Sequence, residues 1–324
     1  MYSFEGNRVV RDTGADYPIF QAPIGLISRG ALVGAVSAAG GVGLMETMFL
    51  PIADMQAEFD QVRSRSNQPF GLHLLIAFLQ AKPDREKEVL DWALDGKTRF
   101  VTTGYGDPTR YIDRIKGAGL TTYHMTDTLE EALRAEDAGV DGIVLGGAEK
   151  GGGNGHDNLH SFALLQKARR RLGVPIVAAG GIADGYGMAA AFALGAEGVM
   201  MGTRFIASSE CPWHDNYKQA LVEAEQVIGI QTSAVPNSNV MRAVRTPYAE
   251  AVARGEAGQN QGPYSGDAGA MFYGGKMDVA LIGCGESAVL IDEVKSAGEI
   301  VTDTVREFWQ EIERLADLRK PLVV

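Results

Sequence analysis

The chain has 324 residues, 45% of them apolar, which is enough for one large barrel with an insertion or for two ordinary domains. Its net charge of −11 argues against nucleic acid or an anionic membrane as partner, and 41 glycines suit a fold with many tight turns. The apolar runs are too short and too interrupted to span a bilayer, and the N-terminus MYSFEGNRVV lacks a signal-peptide pattern, so a cytoplasmic location is expected. Two cysteines, Cys211 and Cys284, imply a reducing compartment and no disulfide framework. Neither has partners at metal-ligand spacing, so no metal is expected.

Taken in order, the chain alternates strand and helix. A first strand, 18–25, ends in a Pro/Gly turn, and an Ala-rich helix covers 30–39. A strand at 42–45 precedes a helix at 52–64, and a third strand at 69–75 precedes a helix at 84–94. A fourth strand, 99–102, runs into Gly104-Tyr105-Gly106, and Asp107 caps the helix begun by Pro108. A fifth strand, 120–124, leads to a helix ending at Ala138, with Asp127 and Glu130 as its capping box. The sixth strand, 141–145, is followed by a glycine-rich loop, 146–158, and a helix over 159–172.

The stretch 174–205, VPIVAAGGIADGYGMAAAFALGAEGVMMGTRF, supplies the last two units. VPIVA is apolar without alternation, the pattern of a parallel strand buried on both faces. Gly180-Gly181 turns tightly, Asp184 caps a helix to about Leu194, and 197–201 forms the next strand, followed by Gly202-Thr203. Eight strand–helix units predict a (β/α)8 TIM barrel. In such barrels the loops after the last two strands hold a phosphate, through backbone N–H groups and here also a hydroxyl. A doubly wound sheet is the rival, but no strand runs into G-x-G-x-x-G with an acidic residue about 20 positions on.

After Phe205 the rhythm stops. The expected division is a barrel from 1–208 and 287–324, with 209–286 as an insertion or lid over the active site. The last segment, 287–318, reads as a helix packing back on the barrel, with Ile300, Val305, Phe308, Ile312 and Leu315 on one face.

Several stretches together carry a resemblance: PIFQAP at 18–23, PFGLHL at 69–74, EKGG at 149–152, AGGIADG at 179–185 and LGAEGVMMGTRF at 194–205. They resemble the nitronate monooxygenase family, formerly called 2-nitropropane dioxygenases. That family also includes flavin-dependent NADH:quinone reductases and bacterial enoyl reductases. The resemblance implies FMN on a TIM barrel. Its phosphate would lie on the backbone of Ala179, Gly180, Gly181, Gly202 and Thr203, and its ring against Ala22, Pro23, Ile24 and Gly25. His73, Leu75, Met125 and Gly151 would be further flavin contacts.

The chain departs from the family pattern at three places. The family's loop reads Glu-x-Gly-Gly-His, and its histidine is the presumed base; here Gly153 stands in that position. Met125 stands where some relatives carry a lysine near the flavin, which leaves the charge to backbone dipoles, Lys150 or a histidine, or leaves it uncovered. His73 replaces a common asparagine, with Leu75 where a hydroxyl residue can occur.

The candidate catalytic residues are therefore His156, His73, His124 and Tyr105. His156 is either an acid or base swung to the flavin or a plain loop residue. His73 and His124 are either strand-end functional groups or hydrogen-bonded core residues, and Tyr105 is either a phenol donor or a packing aromatic. His160 reads as surface helix. Arg242 and Arg245 either meet an anionic substrate or lie on a solvated face. The expected activity is oxidation of a nitronate or similar carbon acid with O2 through FMN. The alternatives are an NAD(P)H-dependent reductase of an activated C=C bond (an enoyl thioester) or a quinone, a flavin-free barrel for a phosphorylated metabolite, and a catalytically dead binding barrel. The expected partner is a small-molecule substrate, with a homodimer left open.

Overall fold

The computed structural model describes residues 3–48, 50–155, 158–235, 238–258 and 266–318, with the backbone alone over 232–235 and 238–239. Among the described residues, nine strands precede residue 205. They are β1 (Ile19–Gln21), β2 (Gly43–Glu46), β3 (Phe70–Leu75), β4 (Phe100–Gly104), β5 (Thr121–Thr126), β6 (Gly142–Gly146), β7 (Gly153–Asn154), β8 (Ile176–Ala179) and β9 (Gly198–Met201). All but β7 form one parallel sheet in the order β1-β9-β8-β6-β5-β4-β3-β2. A parallel bridge between Phe20 and Val42 joins β1 back to β2, so the sheet closes into the expected (β/α)8 barrel.

The helices are α1 (Arg8–Thr13), α2 (Gly30–Ala38), α3 (Ile52–Arg65), α4 (Ile76–Ala81), α5 (Pro83–Ala93), α6 (Thr109–Gly117), α7 (Leu129–Asp137), α8 (Ser161–Ala168), α9 (Gly185–Ala193) and the single turn α10 (Thr203–Ile206). Helix α1 precedes the first strand and closes the N-terminal end of the barrel. Its Val9 joins the interior cluster, and Tyr123 of β5 donates to Asp12 at 3.0 Å.

Strand parity assigns inside and outside. Phe20, Leu44, Phe100, Tyr123, Val144, Val177, Ala179 and Met200 form one buried cluster inside the barrel. Residues of the opposite parity, such as Leu72, Val101, Ile143 and Val199, pack outward against the helices. Gly71 is inward: a Cβ there would lie 2.6 Å from Phe100 Cζ and 2.9 Å from Leu44 Cδ2.

Four details differ from the sequence reading. Helix α7 is capped by Thr128, whose hydroxyl accepts from Glu131 N at 3.2 Å, because Asp127 is engaged elsewhere. The α8 segment is shorter than expected. Helix α4, directly after β3, carries no Pro or cap signal and was not expected. The C-terminal helix does not begin near 287, where a 3-10 turn runs over Glu286–Leu290. The helix begins ten residues later, where Ser296 and Glu299 form a capping box. Asp184 caps α9 as expected, accepting from Gly187 N at 2.7 Å.

Between barrel and C-terminal helix lie α11 (Asp215–Val222), β10 (Val227–Val235), β11 (Ser238–Val244), α12 (Pro247–Ala253) and α13 (Ala268–Phe272), then α14 (Ala297–Asp317). β10 and β11 pair antiparallel, and β11 adds β7 as a third strand. The region read as loop-rich thus contains a hairpin bonded to the glycine loop at the barrel mouth.

Candidate active site

Two adjacent strand ends form one side of the barrel mouth. After Ala179 of β8, Gly180 and Gly181 have φ of +102° and +71°, conformations that side chains resist. A Cβ on Gly180 would come within 3.1 Å of Lys150 N. After β9, Gly202 precedes α10, where Phe205 N and Ile206 N donate to Gly202 O at 2.9 and 3.1 Å, so the donors a cradle could use are those at the very start of the turn. A Cβ on Gly202 would reach only Ala22 Cβ at 3.5 Å and Ile24 Cδ1 at 3.6 Å, so Ala22, Pro23, Ile24 and Gly25 stand beside this cradle, half-buried. Ser28 pins that strip: its Oγ accepts from Ile24 N and from Gln21 Nε2, both at 2.7 Å. None of the five cradle residues is itself acidic; a nearby carboxylate is Glu149, whose Oε1 would lie 3.4 Å from a Cβ on Gly181 and which is turned to Ser161 N. The Thr203 hydroxyl accepts from Gly285 N at 2.9 Å and so anchors residues 284–286, a bond that uses its oxygen and not its O–H donor.

The other side of the mouth is built by β3 to β6. His73 is inward and buried, with Nδ1 2.9 Å from Thr102 Oγ1 on the neighbouring strand. Burial, and secondarily the nearby His124, push its pKa down to about 3, so its ring is neutral at physiological pH. Gly104 makes room for it: a Cβ there would lie 3.3 Å from both His73 Cε1 and Met125 Cβ. Met125 is inward and half-buried, and Leu75, the last residue of β3, is also half-buried. His124 does not join them. It follows inward Tyr123 and precedes inward Met125, so it points outward, with Nδ1 2.9 Å from Thr103 Oγ1. Burial pushes its pKa down to about 4 against the opposing charges of Glu131 and Asp107. It is a core histidine in the helix layer, away from the mouth.

Tyr105 sits on the rim, 39% exposed, with φ +54°, a backbone conformation rare for a bulky residue. A Cβ on Gly152 would lie 3.5 Å from its hydroxyl, so the phenol faces the glycine loop.

That loop crosses the mouth. Glu149 folds back to cap α8, its carboxylate accepting from Ser161 N at 3.0 and 3.2 Å, with exposed His160 Nδ1 at 3.5 Å. Its carbonyl accepts from Glu286 N at 2.9 Å. Gly151 packs so tightly on Cys284 and Gly285 that a Cβ would lie 3.1 Å from Gly285 N. Lys150 reaches over the end of β6, where its Nζ donates to Gly153 O at 2.5 Å and pairs with Asp127 Oδ2 at 3.2 Å. Sequence reading had made Asp127 a helix cap; its carboxylate instead faces this amine. His156 lies outside the described residues.

From the insertion, Met241 of β11 pairs with Gly153, and half-buried Arg242 donates through Nε to Glu286 at 2.9 Å. Among the described residues its Nη1 is buried without a hydrogen-bond partner. Arg245 is exposed and bonds Glu250 at 3.1 Å, so the two arginines do not act together. Burial pushes the thiols of Cys211 and Cys284 up to about 11 and about 12, which keeps them protonated and unreactive. No cluster of metal-ligating side chains occurs among the described residues, and none of their helices is long and apolar enough to cross a membrane.

Comparison with known proteins agrees with this geometry. The sequence model of the family described as nitronate monooxygenase matches residues 8–307. A nitronate monooxygenase of Paraburkholderia phytofirmans is 31% identical over 64% of this chain and 68% of its own length. A probable nitronate monooxygenase of Staphylococcus haemolyticus is 26% identical over 80% of this chain and 83% of its own length. Among solved structures, FabK from Thermotoga maritima superposes with a TM-score of 0.84 at 31% identity, covering 96% of this chain and 99% of that one.

Proposed function

The chain belongs to the nitronate monooxygenase family of flavin-dependent oxidoreductases, and we propose that it binds FMN across the barrel mouth and oxidises a nitronate or similar small carbon acid, with O2 as final electron acceptor. The observation that carries this reading is the pair of neighbouring strand ends, Gly180-Gly181 and Gly202-Thr203, opening beside the half-buried strip 22–25. That arrangement suits a phosphate at one end and a flat ring at the other. When bound, FMN supplies the electron-accepting ring that the protein's own side chains lack.

The remaining chemistry belongs to the chain. Ala179, Gly180, Gly181, Gly202 and Thr203 hold the phosphate with backbone donors. Ile24, Leu75 and Met125 exclude water from the mouth. His73, fixed by Thr102 and neutral, orients a polar group by hydrogen bonding; with a pKa near 3 it is too weak a base to abstract a proton from carbon. Tyr105 offers a phenol at the rim, and His156 is retained as a candidate acid or base. Residues 209–286 form an insertion that closes over the site.

A second reading, reduction of an activated C=C bond or a quinone with NAD(P)H through the same flavin, is favoured by the likeness to FabK, an enoyl reductase. The visible spectrum and the product decide between readings. The expected protein is yellow, releases FMN on denaturation, and converts an alkyl nitronate to a carbonyl compound while consuming O2. A colourless protein that does not take up added FMN would overturn the flavin reading. A yellow one that turns over only with NAD(P)H and an enoyl thioester or quinone would select the second.

A further inference from the structure

The family's presumed base is missing from this chain, and the structure offers something else at the same place. Position 153 is a glycine, yet a cation lies against it: Lys150 Nζ donates to Gly153 O at 2.5 Å. Strand parity fixes where this cation sits. Gly142 and Val144 of β6 face the barrel interior, so Gly146, two residues on, does so at the mouth. A Cβ on Gly146 would lie 2.6 Å from Asp127 Oδ1, 2.7 Å from Lys150 Cδ and 2.9 Å from Lys150 Cε. The Lys150–Asp127 pair therefore lies directly over the interior column of β6. It faces the same opening as Met125, with the Tyr105 phenol close enough to act on the charge of Lys150.

We propose that Lys150, whose head rests against the Gly153 carbonyl at the barrel mouth, recognises the anionic oxygens of the substrate. The inference rests on the flavin-oxidoreductase reading above and adds the residue that would meet the substrate's negative charge. An ammonium has three N–H donors. Two go to Gly153 O and Asp127 Oδ2, which leaves one for a ligand among the described residues. Burial works against the charge, but Tyr105 and Asp127 outweigh it and raise the pKa of Lys150, so it stays an ammonium. An ammonium carries no lone pair, so it binds an anion already formed and does not take the proton from a neutral carbon acid. The contact is to the Gly153 backbone carbonyl.

The test uses nitrate, a planar oxyanion that resembles the nitronate group and carries no reducing equivalents. Calorimetric titration of the full-length protein with nitrate is run on wild type, Lys150→Met and Lys150→Arg, each checked for an unchanged thermal transition and FMN content. The expected result is nitrate binding by wild type, weakened roughly tenfold or more in Lys150→Met, the scale of one hydrogen bond to a charged group, and largely restored in Lys150→Arg. Wild type that binds no nitrate, or folded Lys150→Met that binds as tightly as wild type, overturns the proposal. Because the readout is heat and not turnover, a colourless protein would defeat the flavin reading while the nitrate titration still decides the role of Lys150.

Discussion

Gly180 gives the sharpest test of the phosphate cradle. Alanine there must adopt φ +102°, at a cost of about 1–3 kcal/mol. Its Cβ would also lie 3.1 Å from Lys150 N, 3.2 Å from Lys150 Cβ and 3.4 Å from Gly147 O. Two of those neighbours are backbone atoms and yield only by moving the β8 turn or the glycine loop. The turn carries the N–H donors assigned to the phosphate, so moving it displaces at least one charge-assisted hydrogen bond, worth about 1.5–3 kcal/mol or roughly 10- to 100-fold in affinity. Gly119 is the matched control. Its φ is +74°, it precedes β5 at the opposite end of the barrel, and a Cβ there meets nothing within 4 Å. Gly119→Ala shares the backbone strain without the contact. Both variants should lose a few degrees of Tm. In fluorescence titrations of deflavinated protein with FMN, only Gly180→Ala should show the loss of affinity. Equal FMN affinity in Gly180→Ala and wild type, or equal losses in both variants, would refute the placement.

Further outcomes follow from the core and its buried histidines. In the unfolded chain His73 and His124 take up protons near their ordinary pKa of about 6.5, whereas folded they do so only near 3 and near 4. The unfolded state thus binds more protons below about pH 6.5, and stability drops as the pH is lowered, by up to about 1.4 kcal/mol per unit for each histidine. His124→Gln should flatten this acid limb without changing FMN content, measured as urea midpoints at about pH 5 and about pH 7.5; a limb as steep as wild type's contradicts the assignment. Gly71→Ala drives a Cβ into Phe100 and Leu44 inside the barrel and should cost about 1–3 kcal/mol, seen as a lower Tm. A wild-type Tm would mean that the interior packs less tightly than described.

The barrel was readable in the sequence because strands such as β6, β8 and β9 are short apolar runs closed by Gly146, Gly180 and Gly202, a local signal. The phosphate-side strand ends were readable for the same reason. What escaped depended on neighbours distant in sequence. Asp127 precedes a helix and looks like its cap, but Lys150, twenty-three residues on, engages its carboxylate while Thr128 does the capping. The β10–β11 hairpin has its third partner in Gly153–Asn154, which no local pattern announces. His124 was legible and misjudged: it and Met125 are adjacent on one strand, so both could not face the mouth, and inward Tyr123 settles which one does. Lys150 carried a signal too, a lone cation inside EKGGGNG, but its meaning needed the carbonyl of Gly153 beside it.

The central claim is that the barrel mouth holds an FMN that takes electrons from a carbon-acid anion. Anaerobic stopped-flow mixing of the yellow protein with an alkyl nitronate, NADH or NADPH tests it most directly. Rapid bleaching of the flavin absorbance by the nitronate, with little by either nicotinamide, is the predicted result. Bleaching by NADH or NADPH alone, with the nitronate inert, would contradict it.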